Sequence, residues 1–409
     1  MIGQQQMSGA RRWRWLGAMV AGLALVAASC GGDDDDSAGE SGGGDTAAAT
    51  TATTAASETS GSAAATTEGD DETGTEPCVR AAFVLVGSTT DNGWNFQHQK
   101  GIDQVKEELP CAEVLVLEEI TEADSERVFR DLAQDGWDII FGTTFGYMDH
   151  MARVAPDFPD TKFEHASGFK LDENLSTYWG DYYYGAYLEG MAAGAATESG
   201  TIGYVGAFAI PDVLSDLNAF TLGAREVNPD ATVQTVWVNS WFDPPTEAQA
   251  AEALIDQGAD VLKMSTSSPA VGTTADQHGL PWDGQASGAQ RVNGPETFMT
   301  SAEYNWGPYY VKTLQDVIDG AWESHSYRGN MADEFITLAE LGPIVDAETK
   351  ELIETRLQEI MAGEFEPFAG PVTDRDGTVR IAEGEAPDIE HLTTIDYVVE
   401  GVVGELPQG

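Results

Sequence analysis

From residue 79 onward, short unbroken apolar runs alternate with stretches in which apolar side chains recur every third or fourth position. The runs at 79–87, 113–119, 138–142 and 162–167 predict strands. The periodic stretches at 94–108, 124–134 and 148–155 predict helices, with Thr121 and Asp124 as the start signal of the second. After a helix predicted over 182–197 the rhythm restarts: strands at 202–206, 232–238 and 260–264 alternate with helices at 212–226, 243–257 and 268–278. A strand at 297–304 and helices at 307–320 and 346–361 complete the pattern. Strands without a polar face, separated by helices, indicate parallel sheets covered on both sides. The expected class is therefore α/β, built as two such units in series.

Upstream of residue 79 the pattern is different. Arg11, Arg12 and Arg14 precede an apolar run over 16–26, and Ala27-Ala28-Ser29 leads into Cys30. A basic start, an apolar segment and small residues make an export signal rather than part of a fold, and the run is shorter than the ~20 residues of a permanent span. Small residues directly before a cysteine resemble a bacterial lipobox, which would make Cys30 the lipidated first residue of the mature chain. The alternative is an ordinary signal peptide with a chance cysteine. Residues 31–77 hold Gly, Ser, Thr, Ala, Asp and Glu but no Lys, Arg or aromatic residue. Such a stretch buries too little apolar surface to offset its ordering entropy, so 1–29 is expected to be a signal and 30–77 a disordered acidic linker.

The chain carries 69 acidic and 20 basic residues, a formal net charge of -49. That balance argues against binding nucleic acid or anionic lipid through a basic face. Besides Cys30 the only cysteines are Cys78 and Cys111, too few for a four-cysteine metal site. They precede the first and second predicted strands. If those strands are parallel neighbours, both cysteines lie at one sheet edge, where an oxidising compartment invites a disulfide; two free buried thiols are the alternative.

Ligands of open parallel sheets bind outside the carboxyl ends of the strands. The loops predicted there, 88–95, 143–147, 207–211 and 239–243, are rich in rings and polar groups, and loops of two lobes facing each other would enclose a flat, polar heteroaromatic ligand. Asp91 reads equally as a ligand contact or as the cap of the helix starting at Trp94, and Asp243 before Pro244 reads more readily as a cap. Phe145, between turn-forming segments, is hard to explain as core; Trp94 and Trp241 fit either role. The glycines at 203, 206 and 223 form no phosphate-cradling loop, the six histidines show no close metal-ligand spacing, and no G-x-S-x-G elbow is present. No enzyme constellation and no cofactor or metal site stands out, which favours binding over turnover.

The segments Gly203–Phe208, Ile210–Val213, Asn218–Ala224 and Val238–Pro244 closely resemble the basic membrane protein family, substrate-binding lipoproteins of ABC importers similar to the purine nucleoside receptor group. Matches at 91–95, 141–149, 163–168, 187–190 and 305–310 support the resemblance, which covers 79 to about 404. It implies a type I periplasmic-binding-protein fold: two doubly wound α/β lobes joined by a hinge, here 78–181 with 296–325 and 182–295 with 326–409. It further implies that Asp91, Asn92, Trp94, Phe145, Phe208 and Trp241, and less directly Asn218 and Asp243, contact a purine nucleoside or nucleobase. Where relatives tend to carry a ribose-contacting aspartate, this chain has Gly284-Gln285-Ala286-Ser287-Gly288, so either Asp283 substitutes from a shifted position or that contact is missing. The implied partners are an ABC permease and a lipid anchor at the outer face of the cell membrane. A sensory receptor of the same fold, or a binder of another small polar aromatic solute, is the alternative.

Overall fold

The computed structural model of the protein describes residues 76–407. The expected signal, Cys30 and nearly all of the expected linker lie outside the described residues.

The first unit runs β1 (Val79–Val84), α1 (Trp94–Glu108), β2 (Ala112–Leu117), α2 (Glu122–Gln134), β3 (Ile139–Gly142), α3 (Met148–Val154), β4 (Lys162–Ala166) and β5 (Leu175–Gly180). The second runs α4 (Tyr183–Ala196), β6 (Thr201–Gly206), α5 (Pro211–Val227), β7 (Thr232–Trp237), α6 (Pro244–Asp256), β8 (Val261–Ser265), α7 (Ala270–His278) and β9 (Trp282–Asp283). The chain then returns through β10 (Ala302–Tyr304), α8 (Gly307–Ile318) and β11 (Ser326–Gly329), and leaves again through β12 (Ile336–Leu338) and α9 (Ala347–Met361). The hairpin β13 (Val372–Thr373) and β14 (Val379–Ile381), α10 (Ile389–Thr393) and β15 (Val402–Val403) follow.

Two sheets result, ordered β11-β5-β4-β3-β1-β2 and β15-β7-β6-β8-β9, and every strand pair within them is parallel. Each sheet sets its first strand between its second and third. The winding therefore reverses between β1 and β3 in one lobe and between β6 and β8 in the other, the place where doubly wound sheets hold ligands. β1 and β3 are buried almost throughout, as parallel strands between helical layers must be.

Ser326–Gly329, beyond the boundary expected at 325, is the outer strand of the first sheet, with Tyr327 opposite Tyr178. No strand is expected between 167 and 182, yet β5 lies there. The strand expected over 297–304 is confined to Ala302–Tyr304, which pairs antiparallel with β12 at the lobe crossing. Cys78 and Cys111 are bridged with Cα atoms 5.5 Å apart, because Val79 and Ala112 directly after them are register partners.

Helices α4 and α5 cross with almost no side-chain spacer. A Cβ on Gly190 would stand 2.0 Å from the Phe220 carbonyl oxygen, and one on Gly223 would stand 2.0 Å from that of Tyr187. Those glycines let two helices buried on nearly every face form the base of the second lobe. Across the crossing runs a column of rings: His98 on Trp306 (4.5 Å), Trp306 on Tyr304 (4.4 Å) and Tyr304 on Tyr182 (5.2 Å).

Candidate ligand cleft

A cavity of about 240 Å³ lies between the carboxyl ends of the two sheets, smaller than the ~300–1,000 Å³ of sites for drug-sized ligands and suited to a compact guest. The first lobe contributes Asp91, Trp94, Asn95, Glu119, Thr144, Phe145 and Ser167; the second contributes Asp212, Asp216, Trp241, Phe242, Ser265, Thr266, Ser267 and Gln285; Tyr304 enters from the crossing. None of the lining residues is Lys, Arg or His.

The first-lobe wall is held by bonds that leave the rings free to face the cavity. Asp91 Oδ1 accepts from the Gly93 and Phe96 amides and Oδ2 from the Asn95 amide and side chain, at 2.8–3.0 Å. It thus serves the orphan N–H groups at the start of α1 while lining the cavity. Trp94 Nε1 donates to the Thr143 carbonyl at 2.7 Å, and its ring stands edge-on to Tyr304 and Trp306. Buried His165 donates from Nε2 to the Thr144 carbonyl at 2.8 Å. Burial pushes its pKa down to about 4, so the ring is neutral and its proton fixes the loop that presents Phe145.

In the second lobe buried Glu247 ties two loops together. Its Oε1 accepts from the Asp243 amide at 2.9 Å, and its Oε2 accepts from Thr266 and Ser268 at 2.7 and 2.5 Å. The Ser267 amide donates to the Trp241 carbonyl at 2.9 Å, and Phe208 braces the Trp241 ring edge-on at 5.1 Å.

Of the sequence-predicted residues, Asp91, Trp94, Phe145 and Trp241 come together on this one cavity. The other five have different structural work. Asn92 occupies a left-handed turn position, φ 56°, outside the lining. Phe208 supports Trp241 from behind. Asp243 caps α6 by accepting from the Thr246 amide at 3.1 Å. Asn218 is fully buried; its Nδ2 donates to the Tyr397 carbonyl at 3.0 Å and its Oδ1 accepts from the Val399 amide at 2.9 Å. Asp283 is sealed behind the cavity with both oxygens unpartnered, and burial followed by repulsion from Glu189 drives its pKa well up. Gln285, not Asp283, reaches the cavity from that loop.

Two functional candidates escaped the sequence reading. Asp212 and Asp216 lie one turn apart on α5, within a helix so uniformly buried that no amphipathic pattern marks the cavity face. Burial pushes Asp212 up to about 7 against the pull of Arg328. Burial and then the Asp212 charge drive the pKa of Asp216 well above the usual carboxylate range. The Ser265–Ser267 loop follows a strand end, so the carboxyl-end rule could have found it; it lacks the rings that drew attention to the other loops. Among the described residues no cluster of His, Cys, Asp or Glu is arranged to hold a metal ion.

A family model described as "ABC transporter substrate-binding protein PnrA-like" matches residues 78–366. The chain is 39% identical over 339 residues to a purine-binding protein of Brucella abortus, covering 81% of this chain and 95% of that one. It is 40% identical over 329 residues to a putative ABC transporter glucose-binding protein of Haloferax volcanii, covering 80% and 81%. Among solved structures, a solute-binding protein from Aeropyrum pernix shares the fold at TM-score 0.62 and 20% identity, covering 70% of this chain and 92% of that one. One from Conexibacter woesei does so at TM-score 0.59 and 23% identity, covering 70% and 98%.

Proposed function

The chain belongs to the PnrA-like family of ABC transporter substrate-binding proteins, which bind solutes and are not enzymes, and on that premise we propose that it captures a purine nucleoside or free nucleobase between its lobes and delivers it to an ABC importer. One observation carries the reading: rings from both lobes, Trp94 and Phe145 on one side and Trp241 and Phe242 on the other, border a single cavity whose charged groups are all carboxylates. Rings on two sides suit a planar guest, each aromatic pair adding about 0.5–1.5 kcal/mol beyond area burial. Carboxylates accept hydrogen bonds from ring N–H groups and sugar hydroxyls. With no basic side chain to neutralise a phosphate, the cavity favours nucleosides and bases over nucleotides. The likeness to the Brucella purine-binding protein supports the same reading. Gln285, in the loop where relatives tend to carry a ribose-contacting aspartate, keeps an amide available to a sugar, so nucleoside and base both fit.

The likeness to the Haloferax protein makes glucose a second candidate, since carboxylates also bind sugar hydroxyls. Titration calorimetry with guanosine, adenine, inosine and glucose separates the two. The purine reading predicts that Phe145→Ala and Trp241→Ala each weaken purine binding at least tenfold, from a loss of roughly 1.5–3 kcal/mol of buried and stacked surface. Binding of glucose alone, or purine affinities untouched by both variants, refutes it. The export pattern ending at Cys30 supports a lipid-anchored, extracytoplasmic protein. Metabolic labelling with an alkynyl fatty acid, lost in Cys30→Ser, tests that.

A further inference from the structure

We infer that Asp212 and Asp216 form the subsite that reads the edge of the heterocycle, and that they select a ring carrying two adjacent N–H donors, as guanine does, over purines that lack one. The inference rests on the purine reading above and asks which purine.

The first ground is availability. Asp91's oxygens are committed to N–H groups of its own loop and helix, and Asn95's amide is committed to Asp91 and the Gly87 amide. Thr266 donates to Glu247. Asp216, by contrast, is 5% exposed, opens onto the cavity, and its side chain makes no hydrogen bond or ion pair among the described residues. The cations nearest the pair have partners elsewhere: Arg328 is bonded to Asp181, and Lys263 is held by Glu189 at 2.7 Å and by the Gly284 carbonyl. Asp212 also lines the cavity without a bonded partner. A nine-tenths buried carboxylate with nothing to accept from is costly to keep unless a ligand supplies the donors.

The second ground is geometry. Residues four apart on a helix lie on one face, their Cβ atoms about 5–6 Å apart, so both carboxyls address the same side of the guest. Burial alone favours the protonated form of these carboxyls, and two N–H donors from the guest favour the ionised form. Ionised, a carboxylate has acceptors only, and its two oxygens match two parallel N–H groups. Guanine presents N1–H beside its 2-amino group. Hypoxanthine presents the ring N–H without the amino group, and adenine sets a lone pair at N1 beside its 6-amino group, which faces an acceptor-only oxygen repulsively. A site that needs a donor penalises an analogue lacking it, because its own buried group is left unpaired.

Calorimetry on the full chain at pH 8 with guanosine, inosine and adenosine tests this. Guanosine is expected to bind at least tenfold more tightly than either of the others. Asp216→Asn and Asp212→Asn, near-isosteric changes that remove a buried charge, are each expected to lower guanosine affinity at least tenfold and inosine affinity by a smaller factor, narrowing the guanosine-to-inosine ratio to within threefold. A ratio near one in the unmutated protein, or a ratio that survives both substitutions, overturns the inference; if Trp241→Ala still weakens purine binding, the purine reading stands without it. Failure to bind any of the three purines overturns both.

Discussion

Replacing Asn218 by alanine separates a residue that builds the lobe from one that touches the ligand. The side chain is fully buried on α5 and brackets the segment ahead of β15, donating to the Tyr397 carbonyl and accepting from the Val399 amide. Alanine removes two hydrogen bonds, each worth about 0.5–1.5 kcal/mol net, and strands two buried backbone groups at about 1–3 kcal/mol each. Partial relaxation of the segment brings the expected loss to about 3–5 kcal/mol. At roughly 2 °C per kcal/mol, the lower end for larger domains, the melting temperature should fall about 6–10 °C. Asn218 is absent from the cavity lining, so purine affinity at 20 °C, well below the transition, should stay within threefold. Calorimetric melting and ligand titration on the same preparations check both halves. A variant that melts normally yet binds purine several-fold more weakly would return Asn218 to the site and refute the division drawn here.

Three further outcomes are expected. Burial raises the pKa of Glu164 and Asp212 to about 7 and of Asp181 to about 6. The folded state therefore holds protons that the unfolded chain has released, and the stability these groups contribute, complete below pH ~4, is lost as pH climbs through 6–7. The ligand-free melting temperature should rise from pH 8 to pH 5, because these carboxyls, together with Asp216 and Asp283, also raised by burial, outweigh the opposing loss from buried His98 and His165. The lowered pKa values of those histidines cost stability as pH falls below about 6.5. The exposed, hydrogen-bonded carboxylates with lowered pKa remain ionised over this window. Glu164→Gln, whose wild-type shift corresponds to on the order of 3 kcal/mol, should flatten the slope, and a melting temperature that falls over this window would contradict the argument. Reducing the Cys78–Cys111 bridge, which spans 33 residues, should cost about 2–4 kcal/mol by loop entropy, visible as a lower denaturation midpoint in reductant. Gly223→Ala places a methyl 2.0 Å from the Tyr187 carbonyl oxygen, so the helices must part; a loss of at least about 2 kcal/mol in urea titration is expected.

Most of the alternation of strands and helices was legible because fully buried parallel strands and their covering helices leave strong local patterns. Helix α1 falls on its expected bounds, and α6 ends within a residue of them. What the local pattern could not carry was return topology. β11 joins the first sheet across a sequence gap of about 150 residues, and nothing in Ser-Tyr-Arg-Gly announces its partner. β5, Leu-Ser-Thr-Tyr-Trp-Gly, mixes polar and aromatic residues in a strand buried at five of its six positions, and so imitates a loop. The site divides in the same way. Phe145 and Trp241 follow strand ends and are rings, so position and chemistry agreed. Asn218 and Asp216, two positions apart on one buried helix, offer the same local evidence. What distinguishes them is that the segment at 397–399 returns to occupy Asn218, while among the described residues nothing returns to occupy Asp216.

That difference also bears on how the cleft can work. Each lobe fixes its own half of the site internally: Asp91 and His165 hold the first-lobe loops, and Glu247 holds the second-lobe loops. Bringing the halves together then orders little new backbone, so the free energy of the ligand contacts is available to favour the closed form. Closure needs a guest that touches both lobes, because a ligand shifts an equilibrium only by its differential affinity for the two states. Without one, Asp91 and Glu119 face Asp212 and Asp216 across a cavity lined by no cation. Carboxyls held there out of water must either repel as charges or take up protons, as the raised pKa values of Asp212 and Asp216 express, so closing the empty cleft costs free energy. A flat guest that stacks on Phe145 and Trp241 and presents N–H groups to α5 replaces that repulsion with hydrogen bonds. On the proposed function, the acidity of the cleft thereby acts twice, disfavouring closure without a guest and restricting what can close it.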